Sequence, residues 1–197
     1  MLKRKEIGTE KKQESWVKIN SMIFIGIGSN LNSKFGNKIK NIELALSLLK
    51  EEGVKVLKKS SFYETYSQPN INDPKFINLV ISISTKLEPV DLMRLLLRVE
   101  KKLGRERGGK NNPRTCDLDI LDFNGIIQNF NFDNLNLLIP HKSIADRNFV
   151  LYPLKEISSN WTHPKTKKNI NDLINNLSKV NNEITKLSEN DIKVYVK

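Results

Sequence analysis

Between Met22 and Phe123 the chain switches repeatedly between two hydrophobic periods, and the order of the switches restricts the fold more than anything else in the sequence. "MIFIGIG" reads as a strand bounded by glycine. "FGNKIKNIELALSLLKEEG" is an amphipathic helix, with Ile39, Ile42, Ala45, Leu46 and Leu49 on one face and Gly53 as its stop. "VKVLKKSSFYETY" alternates as a second strand, and "KFINLVISISTKL", rich in β-branched residues, is a third. Pro89 and Asp91 open a second helix, "VDLMRLLLRVEKKLG", closed by Gly104, and "CDLDILDF" is the fourth strand. The order β-α-β-β-α-β predicts an α+β, ferredoxin-like sandwich: an antiparallel sheet with both helices on one face. Beyond Leu135 the sequence predicts a C-terminal extension of loops and a terminal helix, "NINDLINNLSKV".

The totals narrow the class. A length of 197 residues with 38% hydrophobic content suits one domain with a real core. Residues 1–21 are polar and lysine-rich, and read as an N-terminal extension: a disordered arm, a targeting extension or an upstream start. The domain itself is expected over 22–197. No apolar run is long enough for a membrane span, so no membrane partner is expected. The one cysteine, Cys116, can form no internal disulfide, which fits a reducing, cytoplasmic setting. A formal net charge of +11 points to an anionic partner, either a polynucleotide, a lipid surface or a nucleotide.

Within the fourth strand, Asp117 and Asp119 lie two residues apart and share a face, while Cys116, Leu118 and Ile120 point toward the helices. A D-x-D of this kind can be a solvated sheet face. Here Arg114 stands three residues upstream, and "GRERGGKNN" before it carries three cations among three glycines. Paired carboxylates on a rigid strand suit Mg²⁺, which is commonly held by one or two carboxylates plus substrate phosphates. The adjoining glycine-rich segment lacks the Gly-Lys-Ser/Thr phosphate loop, so its grip on phosphate would come from arginine side chains. Gly104 to Asn112 is expected to close over a bound nucleotide. His141, after Pro140, is by itself weak evidence for catalysis, and His163 receives no role.

Several stretches taken together resemble the 6-hydroxymethyl-7,8-dihydropterin pyrophosphokinases of folate biosynthesis, from about Ile23 to Ile157. The strongest is "PRTCDLDIL", similar to the family's Pro-Arg, two residues, Asp-x-Asp and two aliphatics; "IGIGSNL", "SSFYET", "FINLV", "RVEKKLGRER" and "IPHKSIADRNFVLYPLKEI" follow the same order. The resemblance implies transfer of pyrophosphate from the co-substrate ATP to a reduced pterin alcohol. It places two Mg²⁺ ions on Asp117 and Asp119. Glu100, Arg105, Arg107, Arg114, His141 and Arg147 fall on positions that serve ATP, with Arg105, Arg107 and Arg114 acting on the phosphates in catalysis. Thr65, Phe76, Asn78 and Phe149 fall on the pterin pocket, and Gly28, Ser29 and Asn30 on the first-strand corner. Asn111 and Asn112 before Pro113, Tyr66-Ser67-Gln68-Pro69 in place of a proline pair, and Lys142 after the histidine depart from the pattern. The implied partners are small molecules, with monomer and association with other folate enzymes both open. The competing class, an RNA-binding module of the same strand order, needs exposed aromatics where this chain has aspartates.

Overall fold

In the computed structural model of the protein, described over residues 22–105, 112–177 and 183–196, the expected elements occur in the expected order. They are β1 (Ile23–Ser29), α1 (Lys38–Glu51), β2 (Lys55–Lys59), β3 (Tyr63–Thr65), β4 (Phe76–Ser84), α2 (Pro89–Lys102) and β5 (Asp117–Phe123). The proposed N-terminal extension, residues 1–21, and Arg107 with most of its glycine-rich segment lie outside the described residues.

Local chemistry sets the helix ends. The Asn37 side chain caps α1 by accepting from the Lys40 N–H, and Gly53 ends it at φ +81°. Pro89 fills the first turn of α2, where its missing N–H costs nothing, and Gly104 closes it at φ +80°. β1 runs antiparallel between β4 and β5, giving the sheet order β5-β1-β4-β3 with β2 also on β4. Ile23, Ile25 and Ile27 of β1, Ile77, Leu79, Ile81 and Ile83 of β4, and Leu118 and Ile120 of β5 bury against α1 and α2. Cys116 lies in this same core, as its strand position predicts.

Three features differ from the sequence reading. The single second strand is two, because the Ser60 hydroxyl oxygen accepts the Val80 N–H while Ser61 donates its N–H and hydroxyl to Glu156. The tail is more structured than a terminal helix with loops. It contains a hairpin, β6 (Gln128–Phe132) with β7 (Leu135–Ile139), then α3 (Asn148–Ile157), α4 (Ile170–Asn175), β8 (Ile184–Lys186) and α5 (Glu189–Val196). The second sheet face is only partly open: α3, Trp161 and α4 bury Phe24, Val80 and Leu121 there. Leu121 reaches that face by the same two-residue period as Asp117 and Asp119, and a bulge in β5 opposite Phe24 and Ile25 brings Asp122 onto it as well, beside Trp161. The uncovered part of the face is the end that carries Asp117 and Asp119.

Candidate active site

The site is built on cross-strand rows. Gly28 of β1 stands between Asp117 of β5 and Asn78 of β4, and Gly26 stands between Asp119 and Val80. Two glycines in a central strand leave bare backbone between the carboxylates and the amide, and so a hollow floor. The space is filled to contact: a Cβ on Gly28 would come within 3.1 Å of Asn78 Oδ1, and one on Gly26 within 3.3 Å of Leu121 Cδ2. The Gly-x-Gly of "IGIGSN" has the same two-residue period as the Asp-x-Asp. That shared period is the signal by which Gly26, missed in the sequence, could have been found.

A pocket of about 270 Å³ stands on this floor, lined by Gly26, Gly28, Thr65, Tyr66, Gln68, Phe76, Asn78, Arg114, Asp117, Asp119, Arg147, Phe149 and Glu183, among others. All four residues expected for the pterin, Thr65, Phe76, Asn78 and Phe149, therefore meet in it. Asn78 Nδ2 donates to Thr65 Oγ1 at 3.0 Å, which fixes the amide plane and leaves Oδ1 toward the hollow. A second pocket, about 420 Å³, opens between α2, β5 and the β6–β7 hairpin, with Ile120, Leu137, Leu138, His141 and Lys142 on its walls. Asp119 lines both.

Asp117 sits in a cationic clasp. Its Oδ1 meets Arg105 Nη1 at 2.5 Å and its Oδ2 meets Arg114 Nη1 at 3.0 Å. Arg105 also pairs with Glu100, a carboxylate 2% exposed that accepts the Leu118 N–H at 2.7 Å. Burial pushes Glu100 up to about 7, against the pull of Arg105. Asn30 holds the segment that carries Arg114: its side chain accepts the Arg114 N–H at 2.6 Å, and its own N–H donates to the Arg114 carbonyl at 3.0 Å.

Asp119 has His141 Nε2 at 3.9 Å and Arg147 Nη1 at 4.0 Å. Loss of hydration, then the neighbouring Asp117 charge, raise its pKa to about 6. His141 is lowered to about 4, first by burial and then by Arg147 and Lys142, and its Nδ1 accepts the Ser143 N–H at 3.1 Å. The imidazole is therefore neutral near pH 7. Arg114 lies 5.9 Å from the Phe76 ring centroid and Arg147 5.5 Å from that of Phe149, so each arginine spans from an aspartate to an aromatic.

The donor set fits magnesium. Asp117 and Asp119 offer hard carboxylate oxygens side by side on a strand fixed by a full ladder to β1. Among the described residues no group of three His, Cys, Asp or Glu forms around them, so further ligands would be phosphate oxygens and water. The elevated pKa of Asp119 has the sign expected of two carboxylates sharing a place that a cation would neutralise.

A ferredoxin-like sandwich with a carboxylate pair, an arginine clasp and a hollow on one sheet face defines an α+β protein whose charged groups and aromatic rings share one pocket. Residues 24–159 match the family 7,8-dihydro-6-hydroxymethylpterin-pyrophosphokinase (HPPK), and the chain belongs to it. It is 37% identical over 140 residues to the Bacillus subtilis 2-amino-4-hydroxy-6-hydroxymethyldihydropteridine pyrophosphokinase, covering 71% of this chain and 79% of the relative. It is 39% identical over 147 residues to the Pneumocystis carinii folic acid synthesis protein fol1, covering 75% of this chain but only 19% of that longer protein. The crystal structure of wild-type Plasmodium falciparum HPPK-DHPS superposes with a TM-score of 0.63 at 16% identity, over 79% of this chain and 44% of the other, a likeness of fold. The chain thus spans well under half the length of several relatives it matches. The RNA-binding reading finds no support in these likenesses.

Proposed function

We propose that the protein transfers the terminal pyrophosphoryl group of ATP to 6-hydroxymethyl-7,8-dihydropterin and releases AMP. The observation that carries this is the floor row Asp117–Gly28–Asn78. It sets a carboxylate and an amide on one face, two inter-strand spacings or about 10 Å apart, which supports a metal at one end and a ring edge at the other. That separation suits a flat bicycle at one end and its reacting hydroxymethyl at the other.

The geometry of the described residues supports a role for each. Asn78 and Thr65 meet the polar edge of the pterin, and Phe76 and Phe149 offer it aromatic faces. Arg105, Arg114 and Arg147 pivot from the aspartates to the phosphates, joined by Arg107 from outside the described residues. Glu100 buttresses Arg105 from beneath. The apolar pocket beside His141 takes the nucleoside, with the triphosphate crossing at Asp119. Asp117 and Asp119 would hold two Mg²⁺, which when bound neutralise the charge on the phosphates. The hydroxymethyl oxygen bonds to the β-phosphorus, the bond from that phosphorus to the α–β bridging oxygen breaks, AMP leaves with the bond's electrons, and the hydroxyl proton is lost. Positioning and charge neutralisation supply the rate, without a covalent enzyme intermediate.

Residues 22–197 act as one domain in this reading, since β8 and α5 pack back onto β3 and α1. A cytoplasmic setting is supported by the buried, unpaired Cys116, and among the described residues no helix is long and apolar enough to cross a membrane. Association with other folate enzymes is suggested by an Arabidopsis thaliana relative named folate synthesis bifunctional protein. The deciding experiment incubates the protein with Mg²⁺, ATP and the reduced pterin alcohol and separates the nucleotides. AMP in step with pterin consumption is expected. ADP in stoichiometric amounts would make the protein an ordinary kinase and reject the proposal.

A further inference from the structure

The family match covers residues 24–159, yet the pocket lining includes Glu183 beyond it. β8 adds to the sheet edge by pairing Ile184 with Thr65, Thr185 with Glu64 and Lys186 with Tyr63, and Leu187 continues it by donating its N–H to the Phe62 carbonyl. This register carries Glu183 past Thr65 to the level of Tyr66, where this exposed residue joins the pocket lining. The segment is tied down at its far end. The Tyr195 hydroxyl donates to Glu64, and Asn37, the cap of α1, donates to the Tyr195 carbonyl. Lys186 pairs with Glu156 of α3 at 3.2 Å. The strand that bears Thr65 is thus held from both sides, and an acidic residue joins the lining of a pocket whose floor already holds an amide.

We infer that the segment Glu183–Val196 completes the acceptor pocket and that Glu183 is a specificity-determining residue, its carboxylate accepting hydrogen bonds from the exocyclic amino group of the acceptor ring. This rests on the pterin reading above. A carboxylate is an acceptor only, so it selects a ring edge that donates and disfavours one that presents a carbonyl. Lys75, which pairs with Glu64 at 2.7 Å and lies over the Tyr66 ring, is near enough to feel the Glu183 charge and keeps the rim from being uniformly acidic.

The test is calorimetric binding to the full chain, with Mg²⁺ and a non-hydrolysable ATP analogue present. The ligands are the reduced pterin alcohol and its analogue lacking the 2-amino group. Glu183→Ala is expected to weaken the pterin alcohol about tenfold, the scale of one charge-assisted hydrogen bond, and to leave the analogue and the ATP analogue unchanged. Equal affinity of wild type and variant for the pterin alcohol would overturn the inference while leaving the proposed activity standing. So would a loss that is the same for both ring compounds, which signals a general disturbance of the pocket. Failure of the wild-type chain to bind the pterin alcohol at all would reject the activity and this assignment together.

Discussion

Asp119 is the residue where the two pockets meet, and a substitution there separates a metal role from a merely solvated one. Its side chain is 36% exposed, and its ion-pair approaches to His141 and Arg147 among the described residues are long, at 3.9 and 4.0 Å, so its carboxylate contributes little to the fold. Asp119→Asn is expected to keep the circular-dichroism spectrum and the melting temperature. It should lower single-turnover AMP formation by roughly three powers of ten, about 4 kcal/mol of barrier, on the scale of metal charge stabilisation. Cys116→Ala, three residues away and buried against α1 and α2, should do the reverse, costing about 1 kcal/mol of stability for the lost packing while the rate per folded molecule is kept. Normal turnover by Asp119→Asn at saturating Mg²⁺ would move the metal site elsewhere. The pair was readable in the sequence because period two in a strand is a rigid geometric fact. The clasp was not, since Arg105 and Arg114 reach Asp117 from outside β5 and only the folded chain brings their guanidinium groups together.

At the scale of elements, β5 carries chemistry at one end and structure at the other, divided by its bulge. Beyond the bulge Asp122, 1% exposed, accepts the Trp161 Nε1–H at 2.8 Å and the Gly125 N–H at 2.9 Å. Burial raises the Asp122 pKa, and these hydrogen bonds oppose the rise. Trp161→Phe keeps an aromatic body but removes the donor, leaving a buried carboxylate oxygen without its partner. It should destabilise the protein by about 1–3 kcal/mol in urea titrations, with turnover per folded molecule unchanged, because the bulge separates Asp122 from the aspartate end. A fall in turnover without loss of stability would show that the two ends of β5 are coupled. The elements up to β5 were legible where each has a strong period and a stop signal, and the break between β2 and β3 was not, because Ser60 and Ser61 make it through contacts to Val80 and Glu156. The later ones were hidden by local chemistry: α3 contains Pro153, which reads as a breaker, and β8 is three residues long and owes its pairing to the free edge of β3.

For the whole molecule the informative quantity is the field. The formal net charge of +11 left polynucleotide, lipid and nucleotide equally open, because charge counts do not locate charge. The fold locates part of it, setting Arg105, Arg114 and Arg147 around two carboxylates at the junction of the pockets, where an incoming polyphosphate would meet cations on each side. The two proposed substrates differ in the property this field acts on: Mg-ATP is an anion and the pterin alcohol is neutral. Raising KCl from about 20 mM to about 200 mM shortens the screening length from roughly 20 Å to below 10 Å. The kcat/KM for Mg-ATP should fall several-fold over that range, while kcat/KM for the pterin alcohol, measured at saturating ATP, should change less than about twofold. A parallel fall in both would point to a salt effect on the fold or on the chemical step, and no fall in either would mean that the surplus charge lies away from the ATP approach. Only the asymmetric result ties the basic character of the chain to its nucleotide.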